Sequence, residues 1–132
     1  MKGFKEHIET TAVANTDFRR VLYTGSHLQL VLMALAPGEE IGSETHTDTD
    51  QFFRVESGEG KVYIDEHEYL VCAGDTVIVP SGARHNVVNT SATAQLKLYT
   101  LYGPAHHKDG IIRHTKAEAV AQEAEFDGVT TE

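Results

Sequence analysis

The chain has 132 residues, 40% of them apolar, and its 20 acidic and 11 basic residues give a net charge of −9. That length suits one core, so residues 1–132 are predicted to form a single domain. The acidic balance argues against nucleic acid as a partner, and no stretch approaches the roughly 20 apolar residues of a membrane span. Charges within Met1–Thr11 interrupt the apolar run that a signal peptide needs, so we expect a cytoplasmic protein.

Short strands separated by turns are predicted from about residue 20 to about residue 103. Turn-forming residues close the apolar or alternating segments at Gly25, Pro37-Gly38, Ser57–Gly60, Glu66-His67, Ala73–Asp75 and Pro80–Gly82. Eight or nine strands at spacings of roughly 8–12 residues are typical of an antiparallel sandwich or barrel.

The two ends of the chain differ from this pattern. Lys5–Val13 is predicted to be a short helix or an arm. Thr115 followed by Glu118 fits a capping box, with threonine at the N-cap and glutamate three residues later. The alanines that follow favour a helix over about 116–125, which Asp127-Gly128 would end.

Four residues have the side chains and the spacing of a metal site. Glu44 and His46 are two positions apart, so on an extended strand they point to the same face. Gln51 follows a turn-prone segment, and a barrel could bring His85 opposite this group. A carboxylate, two imidazoles and an amide oxygen suit one divalent metal ion such as Zn, Mn, Fe or Ni.

The two segments that carry these residues resemble the two motifs of the cupin superfamily. The first family motif, G-x5-H-x-H-x3–4-E-x6-G, is matched in spacing by Gly38, Glu44, His46, Gln51 and Gly58. The second, G-x5-P-x-G-x2-H-x3-N, is matched at every position by Gly74, Pro80, Gly82, His85 and Asn89. The resemblance implies an all-β fold, a single cupin-type antiparallel β-barrel (double-stranded β-helix or jelly roll) with a metal inside it. A short N-terminal arm and a C-terminal helix would flank the barrel.

Two positions depart from the family pattern. Glu44 stands where the first histidine is usual, and Gln51 stands where the glutamate is usual. The acid and the neutral ligand have exchanged places, which preserves a single negative ligand charge and leaves the identity of the metal open. A glutamine ligand resembles a subset of sugar-processing and polyketide-cyclising cupins.

Each candidate also has a structural alternative. Glu44 could be a solvated carboxylate or a partner of a ligand, and Gln51 could be a hydrogen-bonding wall residue. Asp48 and Asp50 compete for the ligand role but are interpreted as loop residues. Exposed or structural roles are predicted for His7, His27 and His67. A loop, or a flap near the barrel mouth, is predicted for His106, His107 and His114.

Strand alternation predicts the lining of the barrel. If Gln51 points inward, so do Phe53 and Val55. In the last strand, the face without Lys97 is the inner one, and it holds Leu96, Leu98, Thr100 and Tyr102. Tyr102 is the predicted catalytic residue, through proton transfer or hydrogen bonding, with a core tyrosine as the alternative. No barrel cation is predicted to point inward, and only Lys108 and Arg113 could fold over the mouth.

The segment Pro37–Thr100 looks like small bacterial cupins labelled mannose-6-phosphate isomerase-like. This resemblance implies an isomerase or related enzyme that acts on a small sugar or keto acid. The lack of an inward cation favours a neutral or carboxylate-bearing sugar over a sugar phosphate. The alternatives are a non-haem-iron dioxygenase and a non-catalytic module that binds a metal or a small ligand. Open sheet edges and a terminal arm predict a homodimer.

Overall fold

The computed structural model describes residues 1–132 and is built mainly from strands, as the sequence predicts. In chain order the elements are α1 (Ile8–Ala14), β1 (Arg19–Thr24), β2 (Gln29–Leu35), β3 (Glu44–Thr45), β4 (Asp50–Ser57), β5 (Glu59–Ile64), β6 (His67–Cys72), β7 (Thr76–Val79), β8 (Arg84–Asn89), β9 (Leu96–Gly103), β10 (Ile112–Arg113) and α2 (Lys116–Ala121). The all-β antiparallel fold is therefore confirmed.

Two antiparallel sheets form the barrel. The larger sheet has six strands in the order β10-β1-β2-β9-β4-β7, and the smaller has four in the order β3-β8-β5-β6. A cluster of 16 buried apolar residues lies between them and draws on both sheets, with Phe53 and Leu98 from the larger and Val62 and Val87 from the smaller. Strands β4, β8 and β9 bury one face each, as alternating sequences do, whereas β2 is buried on both faces.

The central strand β9 shows this alternation most regularly. Its burial alternates along all eight residues, and Leu96, Leu98, Thr100 and Tyr102 are the buried set. Phe53 and Val55 of the neighbouring β4 are buried on the same side. The predicted inner face of both strands is therefore confirmed, and it directs Gln51 and Tyr102, which are directly paired, into the barrel.

The C-terminal helix is shorter than the predicted span of about 116–125. Thr115 caps α2 by accepting a hydrogen bond from the Glu118 N–H at 3.1 Å, as the capping box predicts. The helix nevertheless ends at Ala121, because the chain turns to pair its next residues with the segment after β9. The Phe126 N–H donates to the His106 carbonyl at 2.9 Å, and His107 and Glu125 form an antiparallel bridge.

The N-terminal arm contains the helix α1, and the tail adds the strand β10 beside β1. Strands β10 and β7 form the edges of the larger sheet, and β3 and β6 form the edges of the smaller one. None of the helices has the length and apolar character needed to cross a membrane. The homodimer predicted from open edges stays a prediction.

Candidate metal centre

Strand pairing brings three of the predicted ligands together. Glu44 of β3 lies directly opposite His85 of β8, and His46 follows β3 by one residue. Ligand atoms of these three side chains all lie within 4.8 Å of one another. His46 Nε2 lies 3.2 Å from Glu44 Oε2. Such a cluster is compact enough for one ion to reach all three groups.

The fourth predicted ligand, Gln51, reaches the same place from β4. Its Oε1 lies 3.1 Å from His85 Nε2. Its Nε2 donates to Thr100 Oγ1 at 3.0 Å, and this contact turns the amide oxygen toward His85. Gln51 is 3% exposed, so the amide is withdrawn from bulk water. The structure therefore places all four predicted side chains at one point inside the barrel.

The hydrogen-bonding state of the two histidines fits a cation at this point. His85 Nδ1 lies 3.1 Å from the Ala83 carbonyl and donates to it, which leaves a lone pair on Nε2. That lone pair faces the Gln51 oxygen, and two acceptors in such contact repel each other unless a cation lies between them. His46 Nε2 is buried and makes no well-directed hydrogen bond. A divalent ion would satisfy all of these atoms.

The charge states are also those that a metal site requires. Burial lowers the pKa of His85, so its imidazole stays neutral and available as a ligand. Burial would raise the pKa of Glu44, but the close approach of His46 and the charges of Arg19 and His106 outweigh it, and the net shift is downward. Glu44 thus supplies the single negative charge among the four side chains.

Tyr102, the predicted catalytic residue, lies beside the cluster rather than in it. It is 2% exposed, and its ring centroid is 5.9 Å from that of His46. Its hydroxyl lies 3.2 Å from His107 Nε2, and burial raises the pKa of the phenol. A proton-transfer role for Tyr102 stays a prediction.

Two histidines of the segment after β9 lie closer to the site than sequence reasoning placed them. The His106 ring centroid is 4.2 Å from that of His46, and burial lowers the pKa of His106. His107 is 8% exposed and contacts Tyr102, whereas His114 is exposed and lies 2.6 Å from Asp17. His106 and His107 therefore edge the site, and His114 does not. In the sequence, the only sign that His106 and His107 lie at the site is that they follow the last predicted strand closely.

Gln29 of β2 holds this segment in place. Its Nε2 donates to the His107 carbonyl at 2.7 Å and to Thr24 Oγ1 at 2.9 Å. Its Oε1 accepts from the backbone N–H groups of His106 and His107, at 3.2 and 3.0 Å. Gln29 is fully buried, and no sequence pattern marked it as more than a strand residue.

The prediction that no barrel cation points inward is wrong. Arg19 begins β1 and lines a cavity of about 320 Å³ together with Glu44 and His106. It was missed because the predicted barrel began one residue later. Lys108 and Arg113 do not line this cavity, and Arg113 donates to the Gln122 carbonyl at 3.0 and 2.7 Å; the tail cation that does line it is Lys116.

The competing carboxylates lie outside the cluster. Asp48 and Asp50 are exposed, and the Asp50 side chain accepts a hydrogen bond from the Ser81 N–H at 2.8 Å. Asp48 lies in the loop before β4, as interpreted, whereas Asp50 is the first residue of β4 and the loop interpretation is wrong for it. The carboxylate that approaches the two histidines is that of Glu44.

Comparison with known proteins agrees with this architecture. The Bacillus subtilis (strain 168) protein YrkC is 42% identical over 128 residues, which cover 92% of this chain and 68% of YrkC. The crystal structure of BH2720 from Bacillus halodurans superposes with a TM-score of 0.89 at 40% identity, covering 92% of this chain and 96% of that one. An RmlC-like cupin from Shewanella frigidimarina NCIMB 400 gives a TM-score of 0.61 at 26% identity, covering 66% and 75% of the two chains.

The family assignment rests on the part of the chain that contains the site. The family model described as Cupin domain matches residues 31–102, more than half of the chain. That span includes the four clustered side chains and Tyr102. The chain belongs to the cupin family.

Proposed function

We propose that this cupin is a metal-dependent enzyme that moves a proton between neighbouring carbons of a small sugar or keto acid, an isomerase or a close relative of one. Glu44, His46, Gln51 and His85 would hold one divalent ion. The ion would polarise adjacent carbonyl and hydroxyl oxygens of the substrate, which makes the neighbouring C–H more acidic. The remaining requirement is a group that accepts and returns the proton.

The observation that carries the proposal is the position of His106. Its ring packs against the ring of His46 and also lines the cavity that reaches Glu44. An imidazole there can accept a proton from a carbon next to the carbonyl and return it to the adjacent carbon. Tyr102, whose ring centroid is 5.5 Å from that of His106, flanks it on the barrel side.

Deuterium exchange tests this reaction across a panel of candidate substrates. Metal-loaded protein is incubated in D2O with aldoses, ketoses and keto acids, and NMR detects exchange at the carbon next to the carbonyl. We expect exchange in at least one compound, and its loss in His106→Gln while the metal content is unchanged. His27→Gln, which alters an exposed histidine, is the matched control. Exchange that persists in His106→Gln would contradict the assigned role.

A second function has one specific observation in its favour. Glu44, His46 and His85 are two histidines and one carboxylate, the set found in non-haem iron oxygenases. Gln51 would be a fourth donor beside this set. Iron in the purified protein together with oxygen uptake on the same panel would favour a dioxygenase over the isomerase.

A further inference from the structure

The direction of Arg19 follows from strand register. Arg19 pairs with Met33 of β2, and Met33 pairs with Leu98 of β9. Both partners are fully buried members of the core cluster. Because directly paired residues project to the same face of a sheet, the Arg19 side chain lies on the inner face of the barrel.

The Arg19 guanidinium has no anionic partner in the chain. Its Nε is buried and makes no hydrogen bond, and Arg19 forms no ion pair. Its Cζ lies 5.4 Å from the centroid of the Phe18 ring, which orients the group. Arg20, by contrast, points outward and lies 3.4 Å from Asp17. Arg19 is half-buried, and withdrawing part of an unpaired charge from water is costly, so its guanidinium is suited to bind an anion that comes from outside the chain.

The cavity that Arg19 lines reaches the metal cluster at Glu44, the one member of the cluster that forms part of its wall. Its volume of about 320 Å³ suits a molecule of metabolite size, and Glu44 and His106 form part of the same wall. Glu123 and Glu125 of the tail also line it and are exposed at the rim. Lys116 lines the cavity as well, so a ligand here would meet two cations, Arg19 and Lys116, and three carboxylates, those of Glu44, Glu123 and Glu125.

We propose that Arg19 binds the carboxylate of a small monocarboxylate substrate whose other oxygens lie at the Glu44, His46, Gln51 and His85 cluster. This inference deepens the proposed function and rests on it. A planar guanidinium binds a carboxylate through two parallel hydrogen bonds. Glu123 and Glu125 together outweigh the single positive charge of Lys116 and repel a second negative charge, so a carboxylate is favoured over a phosphate dianion.

Titration calorimetry with defined probes tests the assignment. The probes are pyruvate and D-glucuronate, their neutral counterparts hydroxyacetone and D-glucose, and the dianion D-glucose 6-phosphate. We expect wild type to bind at least one carboxylate more tightly than its neutral counterpart. Arg19→Met should weaken that binding about 10- to 100-fold, the effect of losing hydrogen bonds to a charged group. Arg20→Met, which changes the neighbouring outward arginine, should bind as wild type does.

Three results would overturn the assignment: unchanged carboxylate binding in Arg19→Met, a preference for the phosphate, or no carboxylate binding at all. Urea unfolding checks that Arg19→Met folds, and we expect its stability to equal or exceed that of wild type, because an unpaired charge is removed. Metal content is measured on every sample, and the titrations are repeated after chelation. A protein that takes up no metal, yet binds carboxylate through Arg19, would refute the proposed function and leave the Arg19 site standing.

Discussion

Asn89 joins three parts of the chain through one side chain. Its Nδ2 donates to the carbonyls of Leu35, Ala36 and Ala94, at 3.1, 3.0 and 2.9 Å, and its Oδ1 accepts from the Ser91 N–H at 2.9 Å. The residue is 1% exposed. These contacts tie the end of β2 to the loop between β8 and β9. The last residue of the second motif is therefore structural.

Replacing Asn89 should destabilise the barrel without touching the metal centre. In Asn89→Ala, carbonyls at a buried junction lose their donor, and we expect the free energy of unfolding to fall by about 2–4 kcal/mol. Urea denaturation measures the change. Asn86→Ala, which removes one contact to the Gly42 N–H at 2.9 Å, is the control and should cost less. Equal losses in the two variants would show that the Asn89 contacts add nothing.

At the scale of elements, the segment after β9 depends on β2 for its position. The side-chain amide of Gln29 donates to the His107 carbonyl and accepts from the backbone N–H groups of His106 and His107. The segment also pairs with residues 124–126 of the tail. Two separate sets of hydrogen bonds thus hold the His106 ring against His46.

Gln29→Leu should loosen this segment selectively. The leucine fills similar space but leaves the two N–H groups and the His107 carbonyl without their partner. We expect faster amide hydrogen exchange at residues 106 and 107 and a stability loss of about 2–3 kcal/mol. Gln95→Leu, at an exposed position, should change neither quantity. Unchanged protection of the two amides in Gln29→Leu would show that Gln29 does not hold this segment in place.

The sequence predicted the inner face of a strand correctly where that face is buried along the whole strand. The alternation in β9 identified its inner residues, because burial follows a period of two over the whole strand. The two-residue strands β3 and β10 carry no such period, so β10 was not predicted and β3 was expected only as an extended segment at Glu44. The early end of α2 was missed because tail pairing with the segment after β9, rather than local propensity, ends the helix.

At the scale of the molecule, the tail and barrel together bury a histidine that cannot easily gain a proton. Burial and the charge of Arg19 lower the pKa of His107 to about 2. An unfolded histidine titrates near 6.5. Below pH 6.5 the unfolded chain binds a proton that the folded chain does not, so the free energy of unfolding falls as the pH decreases. Above pH 6.5 both states are neutral at this histidine, and the free energy of unfolding keeps its full value.

This linkage predicts a pH dependence that one variant should reduce. When the pH is lowered from 7.5 to 5, His107 alone reduces the free energy of unfolding. The reduction is up to about 1.4 kcal/mol for each pH unit below 6.5. Urea unfolding of His107→Gln should show a shallower acid loss than wild type. The hydrogen bond to Asp17 raises the pKa of His114, so its stabilisation is present at low pH and disappears as pH rises. His114→Gln should therefore not reduce the acid loss, and equal slopes in wild type and His107→Gln would contradict the burial argument.

The motif spacing predicted which four side chains the fold would bring together, because barrel topology relates the two motifs in a regular way. Arg19 and His106 lie outside both motifs, at positions 19 and 106, and reach the site only through the register of β1 and the folding back of the tail. No spacing of residues within the sequence indicates that these contacts form. The composition of the cavity wall therefore had to come from the structure.

The central claim is that these four side chains bind one divalent ion. Elemental analysis after equilibration with Zn, Mn, Fe or Ni salts and extensive dialysis tests it directly. We expect about one ion per chain in wild type and in His27→Ala, and a stoichiometric loss in both His46→Ala and His85→Ala, because each removes an imidazole donor. Full metal content in either of the last two variants, or no bound ion in wild type with any of the four salts, would contradict the claim.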